Sequence, residues 1–124
     1  MSYIQLDEIN EKNLLGAWII KKRLVNSNNI DNIFAASSCL KFNKKSFIIT
    51  TQDGTKNKGN WEIIREQEVI YNPQVKFHLT KQENANSIIT NLMTDDDVNY
   101  KLILYFDNGL ELVLEKDGTS PACK

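Results

Sequence analysis

Lys101-Leu102-Ile103-Leu104-Tyr105-Phe106-Asp107-Asn108-Gly109-Leu110-Glu111-Leu112-Val113-Leu114-Glu115-Lys116 decides the fold. Asn-Gly between two alternating runs is the strongest short-range signal of a β-hairpin, because both turn residues tolerate a positive φ. Leu102, Leu104 and Phe106 fall on one face of the first run, and Leu110, Leu112 and Leu114 on one face of the second. Glu111, Val113 and Glu115 take the other face. One dry face and one wet face describe an antiparallel sheet.

Working backwards, the same grammar repeats. Val75 to Thr80 alternates with Val75, Phe77 and Leu79 on the dry side. Asn60 to Ile64 places Trp61 and Ile63 together. Ser38 to Asn43 and Phe47 to Gln52 flank a short Lys44-Lys45-Ser46 turn, and Asp53-Gly54 signals the next hairpin. Ala17 to Val25, Val69 to Tyr71 and Ser87 to Thr94 complete the strands, with Asn72-Pro73 marking a turn. Strand–helix alternation is absent. The expectation is a mainly β, up-and-down antiparallel meander closing into a small barrel of 8 to 9 strands.

Two segments depart from this pattern. Residues 1–15 read as a short N-terminal helical segment: Leu6 and Ile9 share a face, Ser2-x-x-Gln5 has the form of a capping box, and Gly16 is a stop. Asn26 to Ser38 reads as a long loop with one or two helical turns, from the spacing of Ile30, Ile33 and Phe34. Such a loop serves as a lid or as a plug over a barrel end.

The chain has 124 residues, room for a single domain spanning 1–124, with 117–124 expected as a flexible tail. A chain this long buries roughly two thirds of its unfolded surface, enough for a core without metal or disulfide. The net charge is −1 and the basic residues are scattered, so nucleic-acid binding is not expected. The densest basic run, Lys21-Lys22-Arg23, reads as a solvated strand end. No apolar stretch approaches a membrane span and no secretory leader is visible, so a cytoplasmic location is expected, with Cys39 and Cys123 as thiols.

Chemistry-bearing patterns are missing. There is no phosphate-binding glycine loop, nucleophile elbow or His-Glu-x-x-His. His78 is the only histidine and shares the wet face with Lys76 and Thr80. Asp95-Asp96-Asp97 lacks the spacing of a calcium loop. Neither a metal nor a cofactor is expected, and no catalytic residue can be chosen.

Leu14-Leu15-Gly16-Ala17-Trp18 resembles the Gly-x-Trp signature that opens lipocalins and their bacterial lipocalin-like relatives. Leu40-Lys41-Phe42-Asn43, Gly54 and Gly59-Asn60-Trp61-Glu62-Ile63 follow in the order found in the bacterial domains. The resemblance spans Leu14 to Lys116. It implies a barrel whose floor is built by Gly16 and Trp18, and a binding interior. The family's Thr-Asp-Tyr motif is missing, and Lys116 stands where an arginine would stack on the signature tryptophan.

Two roles are compatible with this reading. The first is a non-catalytic lipocalin-like module for an apolar small molecule, held in the barrel interior by Trp61, Phe77, Leu104, Phe106 and Leu112. The second is a protein-interaction role, as an immunity-type inhibitor or assembly component, using outward residues such as Ile103, Tyr105 and Val113.

Overall fold

The alternating runs do form a closed meander. The computed structural model describes residues 2–25, 33–65, 72–80, 84–95, 99–117 and 123. Nine strands are present among them: β1 (Ser2–Tyr3), β2 (Gly16–Val25), β3 (Ser37–Phe42), β4 (Ser46–Thr51), β5 (Lys56–Ile64), β6 (Gln74–Leu79), β7 (Ala85–Asp95), β8 (Asn99–Phe106) and β9 (Leu110–Lys116). Strands β2 to β9 each pair antiparallel with the next, and β9 returns to β2 from Trp18↔Lys116 to Val25↔Leu110. This closes an eight-stranded barrel and removes the edges that an open sheet would expose.

The hairpin that decides the fold is made as its sequence dictates. Gly109 takes φ +93°, its N–H donates to the Phe106 carbonyl at 3.0 Å, and Asn108 Oδ1 accepts from Leu110 N–H at 3.1 Å. The register Leu102↔Leu114 and Leu104↔Leu112 keeps the leucines on the inner face, where all are fully buried. Gly59 answers a different demand. A Cβ there would lie 2.3 Å from the His78 carbonyl and 2.8 Å from the Phe47 ring, so glycine lets Phe47 lie against β5.

The seam between β6 and β7 is short, running from Gln74↔Ile88 to Phe77↔Ala85. Beyond it the chain start takes the vacated place. Ser2 pairs with Thr94 and Tyr3 with Met93, and Ile4 N–H donates to the Leu92 carbonyl at 2.8 Å.

That pairing corrects the N-terminal reading. The helical segment expected over 1–15 is not one continuous helix, because Ser2 and Tyr3 are drawn into the sheet. What remains is a 3-10 turn at Leu6–Glu8 and a one-turn helix, α1 (Glu11–Leu14). The Ser2-x-x-Gln5 box does not form. The helix is capped by Asn10, whose side chain accepts from Lys12 N–H at 2.9 Å, while Asn13 Oδ1 accepts from Asn10 N–H at 2.8 Å. The expected strand Val69 to Tyr71, Ile30 of the long loop, Asp96 and Asp97, and most of the tail lie outside the described residues.

The β4–β5 hairpin carries a titratable turn. Asp53 accepts from the Thr51 hydroxyl and from Thr55 N–H, the latter at 3.0 Å, and Gly54 takes φ +88°. The hydrogen bond from the Thr51 side chain, then those from Thr55, lower the Asp53 pKa from 3.8 to about 2. A carboxylate with a depressed folded-state pKa stabilises above its unfolded pKa and loses that contribution as pH falls through the folded value. Unfolding midpoints in urea are therefore expected to drop between pH 3.8 and about 2, and Asp53→Asn should flatten that part of the acid limb. The side chain is fully exposed, so the effect will be small and salt-insensitive, being carried by hydrogen bonds.

Candidate functional site

The inner face of the barrel is aromatic. Phe34, Phe42, Phe47, Phe77 and Phe106 are all buried and form one connected cluster. Phe77 is the hub, with ring centroids 4.8 Å from Phe34, 5.0 Å from Phe47, 5.9 Å from Phe42 and 6.1 Å from Phe106. The Phe77–Phe106 pair is stacked and the other three are tilted or edge-on, and ring pairs at these separations add to the hydrophobic gain of burial. Phe42 also meets Trp61 edge-on at 4.9 Å, and the Trp61 indole N–H donates to the Asn43 carbonyl at 2.8 Å.

At the floor end, Trp18 is fully buried. Its indole N–H donates to the Leu14 carbonyl at 2.8 Å, tying α1 to β2. The Lys116 ammonium sits 5.0 Å from the Trp18 ring centroid and 4.6 Å from that of Tyr100, a double cation–π contact. Burial lowers the Lys116 pKa. Gly16 is at φ +120°, a conformation that favours glycine, and so brings β2 out of the helix toward Trp18.

At the other end, the turn 33–36 carries Phe34 into the barrel. The Phe34 carbonyl accepts from the Ser37 N–H at 3.2 Å and from the Ser37 hydroxyl at 2.6 Å. Arg23 holds the same turn by donating to the Ser37 carbonyl. A bulge between Ile20 and Lys22 shifts the alternation of β2, so Arg23 stands opposite Leu112 on the inner face. Its Nε is buried with no hydrogen-bond partner, and burial lowers its pKa. The basic run is thus split: Lys21 and Lys22 are solvated as expected, whereas Arg23 is drawn inward.

All five residues nominated for the interior, Trp61, Phe77, Leu104, Phe106 and Leu112, are buried on the inner face. Sequence reasoning did not single out Phe47 and Ile49, which are buried beside them, and gave Phe34 only as part of a loop serving as lid or plug. Phe34 stood in a polar loop with no strand pattern around it. Phe47-Ile48-Ile49 is apolar at every step, so alternation gave no signal there.

Outside the barrel, one row of the sheet runs Leu24, Glu111, Tyr105, Ile88 and Gln74 across five strands. Beside it lie Val113 and Ile103, paired with each other. Leu24 is 45% exposed and Tyr105 37% exposed. Ile88 and Tyr105 border a groove of about 310 Å³ with Gln74, Asn86, Ser87 and Asp107. A second groove, about 500 Å³, lies at the floor rim between Ile9, Asn10, Lys12, Ile63 and Arg65. His78 is exposed and pairs with Glu62 at 3.4 Å, in keeping with its wet-face assignment. No group of three or more His, Cys, Asp or Glu among the described residues could hold a metal ion. Nor is any described helix long and apolar enough to cross a membrane.

The cysteines require a correction. Expected as separate thiols, Cys39 and Cys123 form a disulfide. Their 84-residue separation hides a spatial proximity, because β2 alone lies between β3, which carries Cys39, and β9, which ends at Lys116.

Compared with protein-family models, curated proteins and solved structures, the chain finds no match.

Phe34→Ala is expected to destabilise the protein by about 3–5 kcal/mol, the cost of a large buried aromatic and its residual cavity. Urea unfolding followed by tryptophan fluorescence measures it. A loss under about 1 kcal/mol would mean that Phe34 does not fill the barrel.

Proposed function

We propose that this chain is a non-catalytic, lipocalin-like binding module that engages a protein partner through the outer wall of β7, β8 and β9. The observation that carries this reading is the aromatic cluster: the interior is occupied by the protein's own phenylalanines. An eight-stranded barrel is just wide enough to be filled by side chains, and here all five phenylalanines are spent on filling it. The row of Leu24, Tyr105 and Ile88, with Ile103 and Val113 beside it, supplies apolar surface on the outside. Glu111 is the charged member of that row. The partner that fits presents an apolar patch with a cation opposite Glu111.

The likeness to bacterial lipocalin-like domains is supported by the closed meander, by Gly16 and Trp18 at the floor, and by Lys116 on the Trp18 ring. A second reading, an apolar small-molecule carrier, has one observation in its favour. Phe34 is held on a turn and not on a wall strand, so an incoming ligand could displace it without breaking the sheet.

Native mass spectrometry of the protein from its own cells separates the two. A stoichiometric protein complex that Tyr105→Asp and Glu111→Lys each dissolve, with the variants still folded, is the expected result. A small molecule retained by the isolated chain and released on unfolding would contradict it and support the carrier.

A further inference from the structure

We propose that this protein matures in an oxidising compartment, where the Cys39–Cys123 disulfide staples its C-terminal tail to the outer wall of the barrel. The alternation of β3 carries the argument. Leu40 and Phe42 point inward, so Cys39 faces outward, level with Ile19 on β2 and Thr50 on β4. An outward residue on a barrel wall should be wet, yet Cys39 is 1% exposed. Its neighbour Ala17, opposite the exposed Lys41, is 9% exposed. Asp117 N–H donates to the Ala17 carbonyl at 2.9 Å, and Cys123 is bonded to Cys39.

The Cα atoms of the two cysteines are 5.3 Å apart, within the range a disulfide spans without backbone movement. The bond closes a loop of 84 residues, most of the chain. A cross-link over so long a loop removes much of the unfolded ensemble's freedom. Forming it takes two protons and two electrons from the two thiols, passed to an oxidised dithiol carrier by thiol–disulfide exchange. A reducing cytosol would hold both sulfurs as thiols. Cys39 is 1% exposed, which shields its sulfur from a reductant's thiolate, as suits a lasting staple.

The test traps free thiols with an alkylating reagent as the protein is drawn from its own cells, then weighs the intact chain. The expected species carries no alkyl group and is lighter than the dithiol by two hydrogens. Reductant should lower its Tm by about 10 °C. Cys123→Ser, a change at the tail rather than in the wall, should show the lowered Tm at once and no further response to reductant. Two alkylated thiols in the trapped protein would overturn the proposal, as would Cys123 bonded to another molecule. An unchanged Tm in Cys123→Ser would overturn the staple.

Discussion

The contact on which the rest of the structure depends is the one around the Trp18 ring. Its N–H fixes the end of α1 through the Leu14 carbonyl, and the same ring carries the Lys116 ammonium at the end of the last strand. Residues near the two ends of the chain thereby meet at one side chain. Lys116 pairs with Trp18 in the β2–β9 ladder as well, so barrel closure and floor packing are the same event. Partial burial of an ammonium is costly unless compensated, and two aromatic faces supply that compensation here. The arrangement explains why Gly16 stands just before the strand: its positive φ turns the chain from the helix into a ladder that must begin at that ring.

Above this floor the barrel is filled from two sources. The wall strands contribute Phe42, Phe47, Phe77 and Phe106, and the β2–β3 connection contributes Phe34. Arg23 and Ser37 hold that connection down, the first from the inner face of β2 and the second from the start of β3. The bulge in β2 has a purpose in this light. Without it, alternation would keep Arg23 on the outer wall and the turn would lose its donor. The fold thus spends its phenylalanines on the inside of the barrel.

Much of this was legible in the sequence wherever one face was dry and the other wet. The Leu102 to Leu114 hairpin, the Val75 to Leu79 strand and the Trp61 strand could be assigned because alternation is unambiguous there. Trp18 and Gly16 drew attention through a family likeness; Trp18 is fully buried and Gly16 takes a positive φ where β2 begins. Legibility failed where the deciding contact was distant in sequence. Ser2 and Tyr3 look like a helix start until β7 offers them an edge. Phe34 looks like a loop residue until rings from three strands surround it. Cys39 and Cys123 look unrelated until the meander brings β9 beside β2. Local pattern specifies the strands, and closure specifies which of the remaining residues become core.

The central claim is that the interior is occupied by the protein's own side chains. A crystal structure under xenon pressure tests it directly, since xenon enters dry apolar cavities that exclude water. The account predicts no xenon inside the barrel, with any sites confined to the outer grooves beside Tyr105 and Ile63. Xenon bound among Phe34, Phe77 and Phe106 would show a hollow interior and contradict it.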